Sequence, residues 1–190
     1  VERARKRGIT VLPVLFAGNV ANGDPAGRRF PVGEFEEWKT WVRKLAEHFG
    51  THGSYWAAHG EGPVRPITAW EVWNEPNLSE NNPPKPKSAC EAEQPNSYSA
   101  KFSSCPQPAA YGRFLTAMSG GLKNGDPSAI VLVGGIEANG GENNPNDEAT
   151  GPFLEAMGVT SSYDGVGLHP YSFQHNISLV EKYVQGLHGT

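Results

Sequence analysis

Four apolar segments of this sequence lack the strict alternation of polar and apolar residues that marks a strand with one exposed face. They are residues 9–17 (ITVLPVLFA), 68–73 (TAWEVW), 129–134 (AIVLVG) and 163–169 (YDGVGLH). Such continuous apolar strands are typical of parallel sheets, because both faces of a parallel sheet are covered. Pro13 weakens the first prediction, since proline withholds a hydrogen bond from the ladder.

Helical patterns lie between these segments. In two stretches apolar residues recur at intervals of three and four, which places each set on one helix face. The first set is Phe35, Trp38, Val42, Leu45 and Phe49, and the second is Tyr111, Phe114, Leu115, Met118 and Leu122. Weaker patterns cover residues 1–7, 151–157 and 177–187. The alternation of strands and helices predicts a parallel α/β fold, with these aromatic residues in its core.

Composition excludes several classes of protein. The 190 residues are 37% hydrophobic and 19% charged, with a net charge of −4, as in an ordinary globular chain. This charge offers no broad basic surface, so we expect no nucleic-acid partner. The basic run at residues 3–7 is interpreted as a solvated helix face, with an address signal or nucleic-acid patch as the alternative. No apolar run reaches the roughly 18 residues of a membrane span, so we expect no membrane partner. The oligomeric state is not indicated.

Two cysteines, Cys90 and Cys105, lie in one stretch rich in proline, serine and asparagine. The paired spacing of a zinc site is missing, so a disulfide is favoured over a metal, and two free thiols are the alternative. Closing a loop of about 15 residues would stabilise the fold by roughly 3 kcal/mol. Because disulfides persist in oxidising compartments, we expect an extracellular protein whose signal peptide lies outside this sequence. No metal and no cofactor are predicted.

The second apolar segment ends unusually, in Asn74, Glu75 and Pro76 (AWEVWNEPN). Asparagine is a poor strand former, and a buried carboxylate is costly unless it is compensated. In a barrel of parallel strands, ligands bind where the strands end, and long polar segments follow the first three strands here. A carboxyl group partly removed from water can donate a proton near neutral pH, as a general acid in glycoside cleavage must. The alternative is that Glu75 only begins a turn.

WNEPN resembles the acid/base motif on the fourth strand of the retaining glycoside hydrolases of clan A, which are (β/α)8 barrels. Residues 164–171 (DGVGLHPY) resemble the His-x-Tyr signature on the sixth strand of the same enzymes. The resemblance implies that residues 1–190 form a partial TIM barrel, from strand three to strand six. A complete barrel needs about 250 residues, so we expect a fragment of a larger enzyme whose nucleophile, a glutamate on the seventh strand, lies outside it.

The resemblance also implies roles for individual residues. Glu75 would be the general acid and later the base that activates water, and Asn74 would bind the sugar 2-hydroxyl. His169 and Tyr171 would line the subsite where the bond breaks. The implied reaction is retaining hydrolysis of O-glycosidic bonds in a polysaccharide or oligosaccharide, without a cofactor.

Further residues are weaker candidates. Trp73 is the better candidate for stacking on a sugar ring, although it and Trp70 could equally fill the core. Glu137, just after the third strand, could be a second carboxylate or a solvated loop residue. Asn77 and Asn176 begin Asn-x-Ser sequences, which are more often plain surface features.

Two other functions compete with hydrolysis. A barrel could retain a sugar-binding cleft after losing catalysis. A different α/β enzyme, such as a nucleotide-dependent one, is disfavoured because no glycine-rich phosphate loop follows any of the strands.

Overall fold

The computed structural model describes residues 1–16, 29–33, 35–59, 63–137 and 149–169. The helices are α1 (Glu2–Arg5), α2 (Phe35–Phe49), α3 (Ser54–Ala58), α4 (Lys87–Glu93), α5 (Pro108–Gly125) and α6 (Thr150–Met157). The strands are β1 (Val14–Leu15), β2 (Ala69–Asn74), β3 (Ile130–Glu137) and β4 (Gly165–His169). Within these residues no helix combines the length and the apolar character needed to cross a membrane.

The four strands form one parallel sheet in the order β1-β2-β3-β4. Helices lie between successive strands, so the predicted parallel α/β alternation is confirmed. Consecutive strands are neighbours throughout, and the carboxyl ends of β2, β3 and β4 therefore lie at the same edge of the sheet.

The first strand is much shorter than the apolar run at residues 9–17 predicts. Only Val14 and Leu15 pair with β2, although the carbonyl of Pro13 also accepts a hydrogen bond from the amide of Glu71. Proline has no N–H to give to the ladder, and Ile9 and Leu12 before it are exposed. Ala17, the end of the predicted segment, lies outside the described residues.

The two long helices supply one side of the core, as their spacing predicts. All five apolar residues of the α5 set are fully buried, and Val42 of the α2 set is buried while the other four pack against the core from partly buried positions. The helix α5 ends at Gly125. The interface between α2 and α5 thus carries much of the apolar packing behind the sheet.

Glycine sets the distance between α2 and α5. A Cβ atom on Gly121 would lie 2.4 Å from the carbonyl oxygen of Lys39 and 2.6 Å from Cγ2 of Val42. The adjacent Gly120 faces away, and a Cβ there would meet only Cε of Lys39, at 3.9 Å. The close approach of the two helices therefore depends on the missing side chain of Gly121, and also on that of Gly125, where a Cβ would lie 2.4 Å from the carbonyl oxygen of Arg43.

Substitution of these neighbouring glycines should change stability in opposite directions. We expect Gly121→Ala to destabilise the protein by about 1–3 kcal/mol through overpacking. Gly120→Ala, its matched control, should stabilise it by about 0.4–1 kcal/mol, because alanine restricts the unfolded chain and fits a helix. Urea unfolding of the purified protein measures both. Equal effects of the two substitutions would contradict the packing described here.

The basic run near the amino terminus is only partly solvated. Arg3, Lys6 and Arg7 are exposed, but Arg5 is 5% exposed, and its guanidinium pairs with the carboxylate of Glu2 at 3.0 Å. The interpretation of residues 3–7 as a solvated face is therefore wrong for Arg5.

The short helices α3 and α4 do not follow from the sequence pattern. Five and seven residues give too few turns for an apolar period to be visible. Helix α4 carries Cys90, which forms a disulfide with Cys105, as predicted. The bond ties α4 to the segment just before α5, within the long connection that follows β2. Export of the protein stays a prediction.

Asp126 connects three elements at the end of the sheet opposite the predicted site. Its carboxylate accepts hydrogen bonds from the amide of Thr51 after α2, at 2.6 Å, and from the amide of Ser128 before β3, at 3.0 Å. Burial alone would raise the pKa of Asp126, but hydrogen bonds from Ser128 and Thr51 outweigh burial and hold the pKa below its ordinary value of 3.8.

This lowered pKa predicts how the contribution of Asp126 to stability depends on pH. A carboxyl group whose pKa is lower in the folded state stabilises the fold fully above its unfolded value and progressively less below it. The stability difference between the native protein and Asp126→Asn should therefore be constant near neutral pH and shrink as the pH falls below about 3.8. Chemical unfolding across this pH range is the measurement. An undiminished difference in strong acid would contradict the prediction.

Candidate active site

The predicted site residues meet at the carboxyl edge of the sheet. Asn74 ends β2 and Glu75 follows it, while His169 ends β4. Strand β3 lies between them, with Asn74 in register with Gly135 and Glu137 in register with His169. Parallel pairing thus gathers side chains that are far apart in the sequence onto one short stretch of edge.

Glu75 and His169 are in direct contact. Nδ1 of His169 lies 2.9 Å from Oε1 of Glu75, which is hydrogen-bonding distance. The side-chain amide of Asn74 donates to Oε2 of Glu75 at 3.3 Å. The Glu75 side chain is 12% exposed and that of His169 27% exposed. Each oxygen of this carboxyl group therefore has a hydrogen-bonding partner. The group is largely removed from water but still partly accessible to it.

A second carboxylate, which the sequence interpretation missed, lies beneath this pair. Glu71 is 7% exposed, and its Oε1 accepts a hydrogen bond of 2.7 Å from the amide of Gly135. The same oxygen lies 4.0 Å from Nε2 of His169. The ring of His169 therefore lies between two glutamates: Glu71, which is part of β2, and Glu75, which follows β2. The sequence contained one signal for Glu71: it is a charged residue inside an apolar run, four positions before Glu75.

Glycines on the two neighbouring strands make room for these side chains. A Cβ atom on Gly135 would lie 2.1 Å from Nε2 of His169, and one on Gly167 would lie 3.1 Å from Cδ of Glu71. The pairing of β3 with β4 also shifts register between Val133 and Ile136. Bulges of this kind re-aim side chains and are frequent next to active sites.

The backbone of Gly135 also fixes both glutamates. Its amide donates to Glu71, and its carbonyl accepts a hydrogen bond of 2.9 Å from the amide of Glu75. One residue of β3 thus contacts Glu71, Glu75 and the ring of His169.

Trp73 is turned away from this group. Its φ is 72°, in the left-handed region that a non-glycine residue rarely adopts. The ring is fully buried and packs against Phe30, Trp38 and Phe114. This burial argues against the expected contact with a substrate, since no face of the ring is exposed. Trp70 is equally buried, so both tryptophans fill the core in this structure.

The left-handed turn of Trp73 has a consequence for the site. In a regular strand, residues 71, 73 and 75 would share one face. With Trp73 rotated toward α2 and α5, the imidazole of His169 lies within 4.0 Å of Glu71 and within 2.9 Å of Glu75. The ring that lies between the two carboxylates is therefore the imidazole of His169 and not the indole of Trp73.

Asparagine side chains brace the loop after Glu75. Asn77 is fully buried, donates to the carbonyl of Glu137 at 2.9 Å and accepts from its amide at 3.1 Å. Asn81 donates to the carbonyls of Asn74 and Glu75, at 3.1 and 3.0 Å. The interpretation of the Asn-x-Ser sequence at Asn77 as a plain surface feature is therefore wrong, because this side chain holds the ends of β2 and β3 together.

Asn82 continues this bracing toward the disulfide. Its fully buried amide donates to the carbonyls of Pro76 and Leu78, at 2.8 and 2.6 Å, and its oxygen accepts from the amide of Gln107 at 2.8 Å. The last of these bonds reaches the residue before α5. The loop after Glu75 is thus fixed to the scaffold by side chains as well as by the covalent link between Cys90 and Cys105.

Tyr111 supports β2 and β3 from behind. Its hydroxyl donates to the carbonyl of Val72 at 2.7 Å and accepts from the amide of Gly134 at 3.0 Å. Burial, partly offset by the hydrogen bond from Gly134, raises the pKa of Tyr111 well above its ordinary value. The hydroxyl therefore stays neutral and remains a donor across the accessible pH range.

Other predicted candidates have different outcomes. Glu137 is half-buried at the end of β3, beside His169 in the register, so it remains a candidate carboxylate. Tyr171 and Asn176 lie outside the described residues. Among the described residues, no group of three or more metal-ligating side chains could hold a metal ion.

No protein-family model matches this sequence, and no curated protein matches it either. The geometry of the site is therefore what bears on function.

Proposed function

We propose that this chain forms part of the (β/α)8 catalytic barrel of a retaining glycoside hydrolase, with Glu75 as its general acid and base. The observation that carries the proposal is the carboxyl group of Glu75 at the carboxyl edge of the parallel sheet, hydrogen-bonded to His169 and Asn74. Two motifs that are separate in the sequence, WNEPN and GLHPY, supply the residues in this contact.

The topology supports the barrel. In a (β/α)8 barrel each strand is followed by a helix and pairs with the next strand along the chain, which is the order found for β1 to β4. A doubly wound sheet instead reverses its strand order at a switch point, where it binds its ligand. The candidate site lies on the carboxyl edge, where barrel enzymes bind their substrates.

The proposed chemistry follows from the environment of Glu75. In the first step its carboxyl group gives a proton to the glycosidic oxygen while a second carboxylate attacks the anomeric carbon and the glycosidic bond breaks. In the second step Glu75 takes a proton from a water molecule, whose oxygen bonds to the anomeric carbon while the bond from that carbon to the second carboxylate breaks and frees the sugar. The resemblance implies that the attacking group is a glutamate on another strand of the barrel. Asn74, next to the acid, would bind the sugar 2-hydroxyl, as the resemblance implies.

A retaining mechanism fixes the stereochemistry of the product, and this provides the test. The whole protein that contains this chain is incubated with aryl β-glycosides and β-linked oligosaccharides, and the first product is observed by proton NMR before it mutarotates. We expect turnover with a β-configured first product. Inversion would reject the double displacement. Sugar binding without turnover of any substrate would favour a binding barrel that has lost catalysis.

A further inference from the structure

Glu71 is a buried carboxylate for which the proposed mechanism has no use. A carboxylate taken out of water is costly unless it finds donors or a cation, and packing alone would be served by a neutral side chain. Among the described residues its hydrogen-bond donor is the amide of Gly135. Two titratable side chains lie near it there: His169, whose Nε2 is 4.0 Å away, and Tyr111, which is neutral and whose pKa the charge of Glu71 helps to raise.

His169 faces a carboxylate on each side. Glu75 lies 2.9 Å from Nδ1, so one of these two groups must carry the proton of that hydrogen bond. Nε2 faces Glu71, and an ionised carboxylate can only accept. At 4.0 Å this contact is electrostatic and not a hydrogen bond: the lone pair of an unprotonated Nε2 would lie near a negative charge, whereas an N–H there is attracted by it. The geometry therefore favours a proton on Nε2.

We propose that Glu71 is a positioning residue that holds a proton on Nε2 of His169, so that the contact between Nδ1 and Glu75 carries a second, transferable proton. A neutral imidazole protonated on Nε2 has an acceptor at Nδ1, and the hydrogen bond with Glu75 then requires the proton to lie on or next to its Oε1. Glu71 thus acts on the acid through the histidine ring, without touching the substrate.

The catalytic consequence rests on the proposed function. The first step needs Glu75 in its protonated form, and the charge of Glu71 maintains that form through His169. In Glu71→Gln the charge facing Nε2 is gone, and the nearer carboxylate of Glu75 decides where the imidazole proton lies. The second proton is then lost to solvent and the remaining one lies on Nδ1, where it donates to an ionised Glu75, which has no proton to give to a leaving group.

Nitrogen-15 NMR of the histidine rings tests the proton position directly. A protonated ring nitrogen and an unprotonated one differ strongly in chemical shift, and the His169 signals among the six histidines are assigned by their loss in His169→Gln. At neutral pH we expect Nε2 to be protonated in the native protein and to lose its proton to Nδ1 in Glu71→Gln. Asp126→Asn, which also neutralises a buried carboxylate but at the other end of β3, should leave both shifts unchanged.

Two results would overturn the proposal: an unprotonated Nε2 in the native protein, or a ring whose proton position Glu71→Gln does not change. If Glu71→Gln does not fold, its amide signals lose their chemical-shift dispersion. Gly167→Ala is then the variant that tests the proposal. Its added Cβ would lie 3.0 Å from the carbonyl oxygen of Val133 and 3.1 Å from Cδ of Glu71; the side chain gives way more easily than the strand, so the carboxylate should be displaced without being neutralised. The same shift of the proton to Nδ1 is expected there, and an unmoved proton counts against the proposal.

Kinetics provide the second readout. Glu71→Gln should reduce kcat/KM for alkyl glycosides, whose leaving groups need protonation, and leave that for aryl glycosides with acidic leaving groups nearly unchanged. A purely structural loss would reduce both equally. If the native protein hydrolyses no glycoside, the proposed function fails, but the NMR experiment still decides whether Glu71 sets the proton position of His169.

Discussion

Glu75→Gln should reduce kcat/KM for alkyl β-glycosides by about 10²–10⁴-fold, the usual contribution of a general acid. The amide keeps the size of the carboxyl group and can still accept from Asn74, but it has no proton of the required acidity. An aryl glycoside with an acidic leaving group departs without protonation, so its kcat/KM should change little. The split between the two substrate classes identifies the proton donor.

The choice of kinetic constant matters in this experiment. Glu75 is also the proposed base of the second step, so kcat for the aryl substrate should fall even where kcat/KM does not. Glu47→Gln is the matched control, because Glu47 lies on α2 and pairs with Arg43 at 2.7 Å, away from the sheet edge. Equal losses on both substrate classes would show that Glu75 is not the proton donor.

Asn82→Ala should destabilise the protein by about 3–5 kcal/mol, the upper range for a single substitution. Removing the side chain takes this partner from the carbonyl of Pro76 and the amide of Gln107, while the carbonyl of Leu78 keeps its hydrogen bond from the amide of Asn81. Each buried group left unsatisfied costs about 1–3 kcal/mol, and the losses are not independent because they share one side chain.

Thermal and urea unfolding measure this effect, with Asn124→Ala as the control. Asn124 is exposed near the end of α5, and its substitution should change the free energy of unfolding by no more than about 0.5 kcal/mol. A change of that small size in Asn82→Ala would mean that water replaces the lost hydrogen bonds, and the loop after Glu75 would then depend mainly on the disulfide.

Much of the fold could be predicted because its elements repeat a simple period. The faces of α2 and α5 were readable from residues three and four apart, and β2, β3 and β4 from short continuous apolar runs. The length of β1 could not be read from the sequence, because whether Val11 or Leu12 joins the ladder depends on the neighbouring strand and on Pro13. Helices α3 and α4 are too short for their spacing to distinguish them from loop.

The residues of the candidate site also fall into those that the sequence predicts and those that it does not. Glu75 and His169 could be predicted because their motifs place them at the carboxyl ends of two parallel strands, β2 and β4, of the same sheet. Glu71 could not, because its place beside His169 depends on the absence of side chains on other strands: a Cβ at Gly135 would meet the ring of His169, and one at Gly167 would crowd Glu71. The burial of Trp73 was hidden for another reason: strict alternation would put it between Glu71 and Glu75, and sequence spacing does not show that its φ is positive.

Two residues near the end of β2, Trp73 and Glu75, have φ values of 72° and 45°. A non-glycine residue in this region costs of order 1–3 kcal/mol, so the strand end stores strain at the position of the proposed acid. Laboratory evolution for heat resistance should therefore select glycine or asparagine at position 75, since both relieve the backbone and neither carries a carboxyl group. A library screened for thermal tolerance alone would be enriched in more stable but inactive variants at this position. A screen for both thermal tolerance and activity is needed to keep the carboxylate.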